Sequence, residues 1–144
     1  MIVATSAPKK WKIGAELIKW YQGGTKYSHV LILKDDLVFQ ASHGNVNCQH
    51  IDVFLQNNDI CDVFTIEEDC IDFEFVKKQL GKPYGFLQLV NLALKFFFNA
   101  RIFKKDGDQK FICSEFVGKA LKLKWVNDFT TPKEIIEYLK NRII

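Results

Sequence analysis

Cys113 opens the run Cys113-Ser114-Glu115-Phe116-Val117-Gly118-Lys119-Ala120-Leu121. Within it Phe116, Val117, Ala120 and Leu121 recur at helical spacing and make one apolar face. The thiol therefore falls in the first turn of a helix, where amide N–H groups lack partners and the helix dipole is positive. Such a place drives a thiol toward thiolate, from about 8.5 to as low as about 3.5 when a charged histidine also helps. A thiolate attacks carbonyl carbon, so acyl transfer is the chemistry this position suits. The plain alternative is a small packed cysteine.

A cysteine nucleophile needs a base, and the base needs a partner that orients it. His29 lies in the apolar run Tyr27 to Leu33, read as a strand. Alternation puts His29, Leu31 and Leu33 on one face, expected to be the buried one. An imidazole there is costly unless its nitrogens are paired. Lys34-Asp35-Asp36 turns the chain, and the returning strand Leu37 to Ala41 sets Gln40 beside the histidine. The Gln40 carbonyl can accept from Nδ1–H and leave Nε2 free to take the thiol proton. The plain alternatives are a core histidine bonded to a backbone carbonyl and an exposed strand glutamine.

The elements that must position these residues follow in order. Residues 1–6 read as a strand, and Ile13 to Tyr21 as a short helix ended by Gly23-Gly24. After the hairpin, Ser42 to Asn47 reads as a loop, and Ile51 to Phe54 and Asp62 to Ile66 as short strands. Glu67-Glu68-Asp69 suits the acidic start of a helix from Cys70 to Leu80. Gly81-Lys82-Pro83-Tyr84-Gly85 is a break. Phe86 to Asn99 then reads as a helix whose only polar stripe is Gln88, Asn91 and Lys95, a pattern that fits a packed helix or the border of an apolar groove. Lys104 to Lys110 is a loop, and Thr130-Thr131-Pro132-Lys133-Glu134 starts a last helix with a threonine cap. The sum is α+β: a small antiparallel sheet packed against helices.

Composition bounds the possibilities. A chain of 144 residues, 48% hydrophobic with 13 Phe, fits one domain over positions 1–144 with a sizeable core. A net charge of +3, spread over pairs such as Lys77-Lys78, argues against nucleic acid as a partner. No run reaches the roughly 18–20 apolar residues of a membrane span. The first eight residues lack a signal-peptide pattern, and the four cysteines show no CxxC spacing. Reduced thiols and a cytoplasmic setting are the expectation.

Two clusters raise the question of metal. His43, Cys48 and His50 offer three ligands, but their spacing matches no common zinc pattern. Glu67-Glu68-Asp69 is explained more simply by a helix start. No metal and no cofactor is expected.

Taken together, Ser28-His29-Val30, Phe39-Gln40-Ala41, Gly81-Lys82-Pro83-Tyr84 and Ile112-Cys113-Ser114-Glu115-Phe116-Val117 resemble the permuted papain-fold cysteine amidases of the YiiX type. These are circularly permuted relatives of the NlpC-type cell-wall peptidases, and more distantly resemble lecithin–retinol acyltransferases. The resemblance runs from about Gly14 to about Glu134. It implies a circularly permuted papain-like (NlpC-like) fold, with Cys113 as nucleophile, His29 as general base and Gln40 in the orienting position. The Cys113 N–H would donate to the oxyanion; Tyr84, Ser28 and Ser114 are further candidates for substrate or oxyanion contacts. Gln40 stands where many relatives have Glu or His, and Gly85 where they often have Asp. The implied activity is a thiol hydrolase (an amidase or cysteine peptidase) acting on a peptide, cell-wall or acyl-amide substrate through an acyl-enzyme. A lipid-directed acyl hydrolase or acyltransferase on the same scaffold, or a catalytically silent binding module, are the alternatives.

Overall fold

The computed structural model describes residues 1–42, 44–85, 90, 94, 95, 97–99 and 111–143. The strands are β1 (Ile2–Pro8), β2 (His29–Lys34), β3 (Leu37–Ala41), β4 (Val46–His50) and β5 (Asn58–Thr65). The helices are α1 (Ile13–Tyr21), α2 (Ile51–Leu55), α3 (Phe73–Gln79), α4 (Cys113–Ala120) and α5 (Pro132–Ile143), with a 3₁₀ turn at Glu68–Cys70. The strands form one antiparallel sheet in the order β4-β3-β2-β1-β5. The architecture is α+β, as the sequence implies.

The hairpin of β2 and β3 is closed by Asp35 and Asp36, both at positive φ (49° and 62°). Two consecutive left-handed residues give the turn whose twist matches paired strands. The register that follows sets Ile32 opposite Phe39 and Leu33 opposite Val38.

Both faces of the sheet are covered. On one, Val3, Val30, Ile32, Phe39 and Ala41 meet Phe116, Val117 and Ala120 of α4. On the other, Ala4, Leu31 and Val38 enclose Phe54 of α2. The expectation of a single buried face of β2 bearing His29, Leu31 and Leu33 is therefore corrected. Val30, Leu31 and Ile32 are all fully buried, which is why the strand reads as a continuous apolar run rather than an alternation.

Further boundaries differ from the sequence reading: β1, expected over residues 1–6, runs on to Pro8, and the strand expected from Asp62 begins at Asn58, its added residues pairing with the end of β1. Ile51 to Phe54 is helical, because His50 is extended and its Nδ1 accepts the Asp52 N–H at 3.2 Å, capping α2. Val46-Asn47, read as loop, belongs to β4 and pairs with Ala41 and Gln40. The helix expected from Cys70 starts at Phe73, where the Asp72 carboxylate accepts the Phe75 N–H at 2.9 Å, and the acidic run before it makes the 3₁₀ turn instead. The helix expected over 86–99 and the loop over 104–110 fall mostly outside the described residues; Val90, Leu94, Lys95, Phe97 and Phe98 are helical.

The last helix starts as read. The Thr131 N–H donates to Glu134 Oε2 at 2.6 Å, and the Glu134 N–H donates back to Thr131 Oγ1 at 3.3 Å, closing a capping box.

Candidate active site

Cys113 is the first residue of α4, after Ile112 in extended conformation (φ −88°, ψ 162°). The first turn closes with the Phe116 N–H on the Ile112 carbonyl at 3.0 Å. Burial of Phe116, Val117 and Ala120 against β2 and β3 fixes the helix, and with it the sulfur, over the start of β2. Gly118 permits the approach of the next segment: a Cβ there would lie 2.5 Å from Val126 Cγ2.

Cys113 is 6% exposed, and burial pushes its thiol above the ordinary range. Backbone hydrogen bonds from Val30, Ser114 and Cys113 itself pull the other way without overcoming it. The expectation of a thiolate at rest is thus corrected: desolvation outweighs the helix terminus. What the helix start does provide is a set of N–H groups already aimed at the sulfur, where negative charge would develop.

His29 begins β2. Its Nε2 and Gln40 Oε1 are 2.7 Å apart. The tautomer follows from the next links: the backbone carbonyl of Asn45, which can only accept, takes the Asn47 Nδ2–H at 3.4 Å, so Asn47 turns its Oδ1 to the Gln40 amide nitrogen, which donates to it at 3.3 Å. Gln40 therefore presents its carbonyl to the ring, His29 donates from Nε2, and Nδ1 is left as the basic nitrogen. This reverses the expected assignment. The reason is register: Gln40 lies beyond the Ile32–Phe39 pair toward the start of β2, and the far ring nitrogen reaches it. Burial lowers the imidazole pKa to about 4, with the Gln40 bond offsetting only part of the drop. At neutral pH both the Cys113 thiol and the His29 imidazole are uncharged, and the two share the lining of one cavity.

Tyr84 is held from both sides. Its N–H donates to the Gly44 carbonyl at 3.0 Å, and it forms a parallel bridge with Phe111, two residues before the cysteine. Burial raises its phenol pKa, and negative charge on Cys113 raises it further, so the hydroxyl keeps its proton. Ser28, His29, Gln40, Tyr84 and Cys113 all line one cavity of about 550 Å³. Ser114 is buried and its hydroxyl donates to the Thr130 carbonyl, tying α4 to the start of α5; its side chain also lies within hydrogen-bond reach of Cys113 and draws the thiol pKa down in part.

Two contributors escaped the sequence reading. Asn47, which aims the Gln40 amide, was hidden because its strand read as loop; the alternation of Val46-Asn47-Cys48-Gln49-His50 is the signal that reveals it. Gly14, Ala15 and Ile18 of α1, with Lys12 just before it, build another wall of the cavity, and no local pattern announces that. Cys48 is exposed and His50 serves as a helix cap, while His43 lies outside the described residues. Among the described residues, Glu67, Asp69 and Cys70 bring three donors together, all exposed. Also among them, no helix is long and apolar enough to cross a membrane.

Set against models of protein families and against curated proteins, the sequence matches none.

Proposed function

We propose that the protein is a cysteine-dependent hydrolase of amide bonds, built on a permuted papain-like fold of the YiiX type. The observation that carries this reading is the shared cavity: a cysteine at a helix start, a histidine with its tautomer fixed by a glutamine, and a tyrosine all line it. The order of parts along the chain, histidine strand, glutamine strand, cysteine helix, supports the same reading.

In this mechanism the Cys113 thiol gives its proton to His29 Nδ1 as sulfur bonds to the carbonyl carbon. The starting pair is neutral, so proton transfer accompanies attack rather than preceding it. The Cys113 N–H and the Tyr84 hydroxyl donate to the oxyanion. Collapse of the tetrahedral adduct breaks the C–N bond, and the proton on Nδ1 leaves with the amine. Water then adds to the thioester, delivering a proton to Nδ1; collapse breaks the C–S bond, frees the acid and returns that proton to sulfur. Gln40 holds the ring throughout.

The test is intact-mass spectrometry after brief exposure to activated acyl esters and peptide amides. An acyl adduct on Cys113, absent from Cys113→Ala and slowed in His29→Ala, is expected. Adducts confined to Cys48 or Cys70, or turnover that survives Cys113→Ala, would overturn the proposal.

A further inference from the structure

The apolar side chains of α1 point the wrong way for a core helix. Ile13, Leu17 and Trp20 recur at i, i+4 and i+7 and share one stripe. They are 65%, 43% and 56% exposed, and Trp11, just before the helix, is 74% exposed. No residue of α1 is buried. The other side of the helix, with Gly14, Ala15 and Ile18, walls the cavity that contains Cys113.

The stripe is held in place rather than frayed. Buried Gln22 follows the helix; its amide nitrogen donates to the Tyr27 carbonyl at 3.2 Å and its Oε1 accepts the Lys133 N–H at 2.8 Å. Phe97 stacks on Trp20 with ring centroids 5.8 Å apart, and Phe97 and Phe98 continue the apolar surface. Contiguous exposed apolar surface of this kind marks a docking face.

Charge and residue type select what docks. Lys10 and Lys12 flank Trp11 at the foot of the helix, Lys9 before them is held by the Leu55 carbonyl and the Asp59 carboxylate, and no acidic residue precedes Glu16 in the sequence. Lys10 and Lys12 are exposed. Tryptophans at the margin of an apolar stripe, flanked by lysines, suit a helix lying in the headgroup layer of an anionic membrane. A second copy of the chain would bring the same lysines face to face across a two-fold axis, which opposes pairing.

We infer that α1 and the residues at its foot dock on an anionic phospholipid bilayer. Trp11, Ile13, Leu17 and Trp20 enter the headgroup region while Lys10 and Lys12 meet lipid phosphate. The helix that rests on the membrane is also a wall of the Cys113 cavity, so docking brings membrane-borne acyl groups to that wall. Adsorption itself does not depend on the thiol chemistry.

Cys113→Ala protein keeps the test separate from catalysis. It is mixed with vesicles of phosphatidylcholine alone and of phosphatidylcholine and phosphatidylserine in equal parts, then sedimented. Binding to the mixed vesicles is expected, with a blue shift of tryptophan emission that persists in Trp125→Phe. Ile13→Ser with Leu17→Ser should weaken binding by roughly tenfold or more, and Lys10→Gln or Lys12→Gln by roughly fivefold each. Trp11→Ser lies outside every strand and helix and gives a second reading that cannot be confused with unfolding. Absence of binding to either vesicle overturns the inference, as does binding that none of these substitutions weakens. A dimer in light scattering that Trp20→Ser dissolves also overturns it, making a second copy the occupant.

Discussion

His29 Nε2 donates to Gln40 Oε1 across 2.7 Å, and Asn47 holds the glutamine so that its carbonyl faces the ring. A neutral acceptor fixes the tautomer without favouring the imidazolium, which fits an imidazole whose pKa is lowered to about 4. Gln40→Glu replaces the dipole with a charge and should raise that pKa. The His29 ring titration followed by NMR then moves to higher pH, and with the proposed hydrolase activity the acid limb of kcat/KM should move with it. Gln40→Leu removes the acceptor and should lower kcat by about 10²-fold through loss of the tautomer and ring angle. A Gln40→Leu enzyme with an unchanged rate would show that the bond serves only folding.

The same imidazole makes the fold acid-sensitive. In the unfolded chain His29 takes up a proton below its ordinary value of 6.5, whereas in the folded protein it does so only near 4. The unfolded state therefore binds more protons between those values, and stability falls as pH falls through that window. The contribution is fully present above about 6.5, and roughly 3 kcal/mol is lost by pH 4. Urea unfolding at pH 7, 5.5 and 4 measures it. His29→Asn should flatten this part of the pH dependence.

Thiol reactivity should sort the cysteines against first expectation. Burial pushes up the thiols of both Cys48 and Cys113, but Cys48 and Cys70 are exposed whereas Cys113 is buried. Iodoacetamide at neutral pH should therefore label Cys48 and Cys70 first, with Cys113 slower by about tenfold for each pKa unit of lost thiolate. Under the proposed mechanism an activated ester that enters the cavity should reverse the order, because there His29 would accept the proton during attack. Peptide mapping after timed quenching reads both. Rapid, selective alkylation of Cys113 by iodoacetamide would instead reveal a thiolate already formed at rest.

What the sequence showed and hid follows from the range of the forces involved. The hairpin at Asp35-Asp36, the start of α4 at Cys113 and the Thr131–Glu134 box depend on neighbours within a few residues, so their signals are local. The sign of the Cys113 shift is not local. The N–H groups of the helix start lie within the local sequence, whereas the β2 and β3 residues that bury the cysteine come from far along the chain. The ring nitrogen that pairs with Gln40 was equally out of reach, because it depends on a cross-strand register and on Asn47 from a third strand. Ile51 to Phe54 is ambiguous by pattern, and only the His50 cap decides for helix.

Gly118 offers a test of how tightly α4 must be seated for the site to exist. An alanine Cβ there would stand 2.5 and 2.9 Å from the two Val126 methyls and 3.0 Å from Ile135 Cδ1. Val126 is β-branched and stiff at χ1, so it relieves the contact poorly by rotation. Exchanging glycine for alanine inside a helix gains about 1 kcal/mol, whereas overpacking costs about 1–3 kcal/mol. The clash on two sides should win, leaving Gly118→Ala less stable by about 1 kcal/mol. Relief comes either from Val126 withdrawing or from α4 tilting, and the two differ in their consequences. If Val126 moves, denaturant midpoints fall while acylation of Cys113 is untouched. If α4 tilts, the sulfur shifts relative to the Val30 N–H and the acylation rate falls together with stability. Val126→Ala in the Gly118→Ala background should restore the midpoint in either case, and only the second predicts that the acylation rate recovers with it.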